Sequence, residues 1–231
     1  MFWLAANGGL LGAAYLLGSL PPGYLAGRLL KGIDIRDHGS GSTGATNVLR
    51  TVGKIPALVV LLVDVLKGSG AIVLVRWLYT LPAFTNLAPM ATNFDLWLSW
   101  VTVLAGLAVL LGHSKSIWLG FRGGKSAATS LGVLVALNAS VGLGTLGIFG
   151  LVLGVSRIVS LGSITAAIGA SVLMLVMQQP LPYVLLSLTG GLYVVWLHRA
   201  NLQRLWTGVE PRIGEKLPEA SQSQESAMPP G

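Results

Sequence analysis

The first charged residue of this chain is Arg28, and the positions before it form one uncharged, largely apolar run. Further apolar stretches follow at about residues 56–78, 96–112, 126–156, 162–178 and 183–197. A helix crosses a bilayer with about 20 apolar residues, and about 17 suffice. Runs of that length exclude a membrane β-barrel, whose strands alternate apolar and polar positions. Only 10% of the residues are charged, against about 25% in soluble domains, which excludes a soluble globular domain and a disordered chain. What remains is an all-α integral membrane protein with several crossings. The start lacks the basic residue that opens a signal peptide, so residues 2–27 read as a retained first span.

Residues 126–156 are the ambiguous stretch. As one helix they would reach about 46 Å, well beyond a hydrocarbon core of about 30 Å. Two shorter spans with a turn near Asn138-Ala139-Ser140 are the alternative. Charge decides between them, because basic residues collect in cytoplasmic loops. Seven spans with the N-terminus outside place Arg28, Lys31, Arg36, Arg50, Lys54, Lys115, Arg122, Lys125, Arg157, Arg199, Arg204, Arg212 and Lys216 inside, thirteen of the 15 basic residues. Six spans would move Arg157 and the last four outside. The expectation is therefore seven transmembrane helices, a cytoplasmic C-terminus, a membrane domain over residues 1–216 and a disordered cytoplasmic tail over 217–231. The net charge of +7 then reflects basic loops, not nucleic-acid binding. Trp3, Trp77, Trp97, Trp100 and Trp196 fall near span ends, where amphipathic rings favour the interface.

Two basic residues remain. Arg76 sits near the outer end of its span, where it can snorkel to water. Lys67 lies in mid-span, three residues after Asp64 and on the same helix face. Each such charge costs roughly 2.5–3.5 kcal/mol at a helix centre, so both must face protein, and each other. That pair is either structural or part of an ion or substrate path.

The unusual polar sequence gathers on the predicted cytoplasmic side. The first loop offers Gly39-Ser40-Gly41-Ser42, a stretch able to fold as a backbone N–H nest around an anion, followed by Thr46, Asn47 and Arg50. A guanidinium grips phosphate through two parallel donors. The second loop ends in Gly123-Gly124-Lys125-Ser126 just before an apolar helix. Free N–H groups, a positive helix end and a lysine together suit a phosphate. The spacing is not that of a nucleotide P-loop, because position 119 is leucine where that motif needs glycine. Gly112-His113-Ser114-Lys115-Ser116 approaches a nucleophile elbow but follows a membrane helix, not a strand. The third loop brings Arg157 and Ser160, and the last polar segment brings His198 and Asn201, three residues apart. No local sequence pairs a histidine with a carboxylate. With no cysteine and three scattered histidines, no metal site is indicated.

The segments GSLPPGYLAGRLLKGIDIRDHGSGSTGATNVLRTVGK, DVLKG, FRGGKSAATSLG, SRIVSLGSI, HRANLQRL and TGVEPRIGEK, in this order, resemble the PlsY family of bacterial acyl-phosphate:glycerol-3-phosphate acyltransferases from about residue 18 to 216. The resemblance implies transfer of a fatty acyl group from a long-chain acyl phosphate to the sn-1 hydroxyl of glycerol 3-phosphate, giving lysophosphatidic acid and phosphate in phospholipid synthesis. It also implies a multi-pass fold in the bacterial inner membrane, a site on the cytoplasmic face among membrane lipid, and no cofactor. An association with the enzyme that makes acyl phosphate is a further expectation. The family's residues fall on Ser40, Arg50, Lys125, His198 and Asn201 as the catalytic set. Gly39, Gly41, Ser42, Thr46, Asn47, Gly123, Gly124, Ser126, Arg157 and Ser160 fall to substrate binding. Ser42 stands where the family usually has Asn, Ser126 where it has Gly, and Ser114-Lys115-Ser116 replaces a more apolar, Pro-containing stretch. The readings from other classes are a transporter for an anionic phosphate compound, built around Asp64 and Lys67, and a non-catalytic membrane assembly factor.

Overall fold

The computed structural model describes residues 1–215, and every secondary-structure element among them is helical. In chain order the helices are α1 (Phe2–Ser19), α2 (Pro22–Lys31), α3 (Ala45–Thr51), α4 (Lys54–Leu78), α5 (Pro82–Thr85), α6 (Phe94–Ser114), α7 (Ala127–Leu137), α8 (Ala139–Ser156), α9 (Val159–Val176), α10 (Leu181–Leu197) and α11 (Arg199–Trp206). The proposed tail and Lys216 lie outside the described residues. Five segments are long and apolar enough to cross a membrane: Phe2–Lys31, Lys54–Leu78, Phe94–Leu119, Ala139–Ser156 and Val159–Val176. The pair α10 and α11, bent by 63°, makes a sixth if taken together. The protein is therefore a multi-pass membrane protein.

Residues 126–156 do divide, at Asn138. Its side-chain oxygen accepts the Val141 N–H at 3.1 Å and caps α8, while its amide donates to Gln179. An Asn cap supplies the acceptor that the first turn of a helix lacks. α7 is left with 11 residues, about 16 Å at 1.5 Å each, roughly half of a hydrocarbon core. Its carbonyl end is closed by Arg76, whose guanidinium donates to the Ala136 and Leu137 oxygens at 2.6 and 3.2 Å. Arg76 thus does not snorkel to water. It supplies donors and positive charge to the orphan carbonyls of a short helix.

α4 and α7 cross in close contact because glycines remove the side chains between them. A Cβ at Gly68 would collide with the Thr129 carbonyl oxygen, and one at Gly132 with that of Val65. In lipid, where apolar burial gives little drive, such close backbone approach supplies the packing. Around this crossing lies an apolar core that includes Leu10 and Ala14 of α1, Ile72 and Val75 of α4, Val101 and Val109 of α6, Val133 of α7, Met174 of α9 and Leu186 of α10. The Asp64 and Lys67 side chains meet at 2.9 Å, 2% and 3% exposed. Lys67 also donates to the Leu20 carbonyl at 3.0 Å, where α1 gives way to Pro21-Pro22.

At the end of the bundle away from Lys125, Trp3, Tyr79, Phe84, Phe94 and Trp97 form one aromatic cluster with centroid separations of 5.1–6.2 Å. Asn7 sits beneath it and accepts from the Tyr79 hydroxyl at 2.6 Å. Trp3 is only 4% exposed, so it packs inward and is not an interface anchor, whereas Trp77 and Trp196 remain exposed as the belt argument expects.

Candidate functional site

The loop between α2 and α3 is built around one amide. Asn47 is 1% exposed. Its oxygen accepts the Ser40 N–H at 3.0 Å, and its nitrogen donates to the carbonyls of Ile35, His38 and Ser42 at 2.9–3.1 Å. Both ends of the amide are engaged within the loop, so Asn47 shapes the loop from within. Gly39 and Gly41 adopt positive φ, and a Cβ at Gly39 would collide with the Asn47 oxygen. Asp34 anchors the outer part of the loop: its carboxylate accepts two bonds from the Arg36 guanidinium at 3.0 and 2.7 Å. Those bonds, working against partial burial, hold its pKa down at about 2.

Ser40, Ser42, Thr46, Asn47 and Arg50 line one side of a cavity of about 470 Å³. Lys125, Ser160, His198 and Asn201 line its other polar walls, and Glu210, from the segment after α11, joins them. The wall then becomes apolar, with Leu134, Phe149, Ala167, Ala170 and Leu186 among its residues. Ala170 lies ten residues along α9 from Ser160, about 15 Å of helix. One space therefore joins a cationic, hydroxyl-bearing end to an apolar interior.

Glu210 organises the polar end. Its Oε1 accepts from the Ser160 hydroxyl at 2.7 Å and from the Asn201 amide at 2.6 Å, and its Oε2 accepts from Arg204 Nε at 2.7 Å. Asn201 in turn accepts from Lys125 Nζ at 2.6 Å. The carboxylate can only accept and the ammonium only donate, which fixes the orientation of the Asn201 amide between them. Burial works to raise the Glu210 pKa, but the donors from Ser160, Asn201 and Arg204 and the Arg204 charge outweigh it, and the carboxyl lies below its ordinary value. The sequence reading missed Glu210, although it stands in the TGVEPR segment. Its partners Ser160 and Asn201 lie 50 and nine residues away, too far for local spacing to connect them.

His198 ends α10, and its Nδ1 lies 2.7 Å from the Val194 carbonyl. A carbonyl only accepts, so Nδ1 carries the proton and Nε2 is the acceptor of the neutral ring.

Six of the ten expected substrate-binding residues, Gly39, Gly41, Gly123, Gly124, Ser126 and Arg157, do not line the cavity. Ser126 is 1% exposed, and its hydroxyl donates to the Leu110 carbonyl at 2.9 Å. It ties the start of α7 to α6 because α6 passes directly behind it. Arg157 is exposed, with left-handed backbone closing α8, and holds the Ile213 segment through backbone and side chain at 2.8 and 3.3 Å. Gly123 and Gly124 support the lysine by admitting a neighbour. A Cβ at Gly123 would strike the His113 carbonyl, and one at Gly124 the His113 ring. The ring also lies 3.3 Å from the Asp64 carboxylate, a histidine–carboxylate pair absent from the local sequence because it joins α4 to α6. Ser114 is no nucleophile: its hydroxyl is engaged with Leu110 and Tyr193. Among the described residues no group of histidines and carboxylates is placed to hold a metal ion.

The profile of the glycerol-3-phosphate acyltransferase family matches residues 9–208. A glycerol-3-phosphate acyltransferase of Acaryochloris marina is 62% identical over 93% of this chain and 95% of its own, and one of Nostoc sp. is 56% identical over 98% and 99%. A crystal structure of PlsY, an integral membrane glycerol 3-phosphate acyltransferase in its glycerol 3-phosphate form, superposes with a TM-score of 0.77 at 36% identity, covering 90% of this chain and 96% of that one. The lysophosphatidic acid form of PlsY gives 0.74. With the profile spanning most of the sequence and the same architecture in a solved relative, this chain belongs to the glycerol-3-phosphate acyltransferase family.

Proposed function

We propose that this acyltransferase takes its acyl group from an acyl phosphate and passes it to the sn-1 hydroxyl of glycerol 3-phosphate, releasing lysophosphatidic acid and phosphate. The observation that carries this reading is the single cavity with a cationic end and an apolar interior. It matches a donor with an anionic head and a fatty tail, beside a small anionic acceptor.

An acyl phosphate is a mixed anhydride whose phosphate leaves readily, so no acyl-enzyme is required. The acceptor hydroxyl attacks the acyl carbon, the new ester C–O bond forms, the C–O bond to phosphate breaks, and the hydroxyl proton passes to a phosphate oxygen. His198 Nδ1 is bonded to a neutral carbonyl and not to a carboxylate, which favours the ring as a hydrogen-bond acceptor for a glycerol hydroxyl over a base that keeps the proton. The main obstacle is bringing two anions together. Arg50 and Lys125 offset their repulsion and orient them, and such preorganised charge lowers the barrier. In this assignment Arg50, Ser160, His198 and Asn201 face glycerol 3-phosphate, while Lys125 with the Gly123–Gly124 loop and Ser40 face the donor's phosphate.

Seven crossings are the proposed topology, with α7 entering as a short helix from the cytoplasmic side of the bacterial inner membrane and the site on that side. The clustering of basic residues supports it. Purified protein given palmitoyl phosphate and glycerol 3-phosphate is expected to form lysophosphatidic acid and phosphate in equal amounts, and none from palmitoyl-CoA. Product from palmitoyl-CoA alone would overturn the donor assignment.

A further inference from the structure

We propose that Asp64 and His113 are positioning residues that hold the Gly123–Lys125 loop in the geometry that presents Lys125 to the donor's phosphate. The proposal rests on the assignment of that loop to acyl phosphate. His113 is 6% exposed at the end of α6, and Asp64 is 1% exposed in α4. Both side chains border the cavity, yet neither faces it as a free group.

His113 Nδ1 lies 3.3 Å from Asp64 Oδ1, and Lys67 Nζ lies 2.9 Å from the same oxygen. The opposite ring edge, at Nε2, occupies the space a Cβ on Gly124 would need. The His113 backbone completes the hold, since its carbonyl accepts the Gly124 N–H at 3.1 Å. The loop is therefore clamped by one residue in two ways, through the carbonyl and through the ring, and the Asp64 carboxylate lies against the ring's other edge.

This arrangement separates a positioning role from proton transfer. His113 Nε2 is turned toward Gly124, and in the assignment above the glycerol hydroxyl is met by His198. The ring instead fixes the residue preceding Lys125, whose Nζ must meet both Asn201 and the donor. Lys67 serves the device indirectly: it balances the Asp64 charge and anchors it to the end of α1 through the Leu20 carbonyl.

Two substitutions test the arrangement, each read by steady-state kinetics with palmitoyl phosphate and glycerol 3-phosphate and by thermal unfolding in detergent. His113→Phe keeps the ring's shape and removes its polar edge toward Asp64. The paired variant Asp64→Asn/Lys67→Met removes both buried charges together, so that neither is left without a partner. A shift of the loop by a fraction of a helical turn is expected to lower kcat/KM for palmitoyl phosphate on the order of 10- to 100-fold. The KM for glycerol 3-phosphate should stay within about twofold and the unfolding midpoint near that of the parent. Wild-type kinetics in His113→Phe would reduce the ring to a space filler and overturn the proposal. Equal weakening toward both substrates, or an activity loss that tracks a lowered unfolding midpoint, would show a general structural role and overturn it too. Lys125→Ala serves as the reference. If it leaves the palmitoyl phosphate KM unchanged, the assignment of the loop itself falls. If it raises that KM while His113→Phe does not, only the present proposal falls.

Discussion

Glu210 connects residues that the sequence scatters. Ser160, Asn201 and Arg204 donate to its two oxygens, and Asn201 passes the connection to Lys125. Lys125 is thus tied to the Glu210 network through the Asn201 amide, and it lines the cavity. Replacing it by Ala should cut kcat/KM about 10²–10³-fold, the usual cost of removing one preorganised transition-state donor, with little change in the unfolding midpoint. Glu210→Gln is a different kind of lesion. It removes the Glu210 charge paired with Arg204, which is 8% exposed in its side chain, and breaking a buried pair costs about 3–5 kcal/mol. The sign of its pH dependence follows from the lowered pKa. A depressed carboxyl contributes stability that is fully present above its unfolded value of about 4.3 and is lost as pH falls through the folded one. The gap in unfolding midpoint between wild type and Glu210→Gln should therefore be constant at neutral pH and shrink below about pH 4.3. A gap independent of pH would contradict an ionised Glu210. Single-residue chemistry pointed to Arg50, Lys125, Ser160, His198 and Asn201, and all five line one cavity. It was misleading for Ser126 and Arg157, because a hydroxyl or guanidinium near an apolar helix serves equally well to bind a neighbouring carbonyl. Glu210 and the Asp64–His113 pair left no local signal, since their contacts cross between helices.

Hydropathy located the long helices because lipid requires each crossing segment to satisfy its own backbone and to be apolar along its length. It did not divide residues 126–156; their excess length and the charge count pointed to a turn near Asn138-Ala139-Ser140, where the Asn138 side chain caps the following helix. What hydropathy did not disclose is that α7 would be so short, or that Arg76 would close it. Both depend on α4 lying alongside α7. The Gly68–Gly132 crossing makes that contact, and the arrangement predicts an asymmetry among the glycines. Gly132→Ala must push α7 away from the Val65 carbonyl, and overpacking of this kind costs about 1–3 kcal/mol. Because α7 begins two residues after Lys125, the same displacement should lower transfer activity. Gly150, in α8, has open space where its Cβ would stand, so Gly150→Ala should leave both properties unchanged. Thermal unfolding and initial rates of the two variants in one detergent check the contrast, and equal behaviour would mean the crossing is not tight.

The cavity faces two environments, and the whole molecule is arranged around that need. In the proposed reaction a fatty chain must reach apolar space while both phosphates stay near water; the polar residues collect where the helices begin or end on one side, and the aromatic cluster around Trp3 and Asn7 closes the other end. The basic residues repeat the asymmetry. Arg28, Lys31, Arg50, Lys115, Arg122 and Lys125 lie at or between helix ends on the Lys125 side, whereas residues 79–95 contain no lysine or arginine. Family membership and apolar helices establish several crossings, and the proposed sidedness rests on this charge distribution. The absence of cysteine makes it directly measurable. Met90 and Phe2 are exposed near the aromatic end, and Lys31 and Arg212 are exposed near the site end. Four single variants, Phe2→Cys, Met90→Cys, Lys31→Cys and Arg212→Cys, should each give one reactive thiol against a blank background. In intact cells stripped of their outer barrier, a membrane-impermeant maleimide should label the first two, and should reach Lys31→Cys and Arg212→Cys only after the inner membrane is opened. Labelling at positions 2 and 212 from the same side would require an even number of crossings. α7 would then not cross, or α7 and α8 together would make one crossing, and the seven-span topology would be abandoned even though the cavity and its chemistry stayed as described.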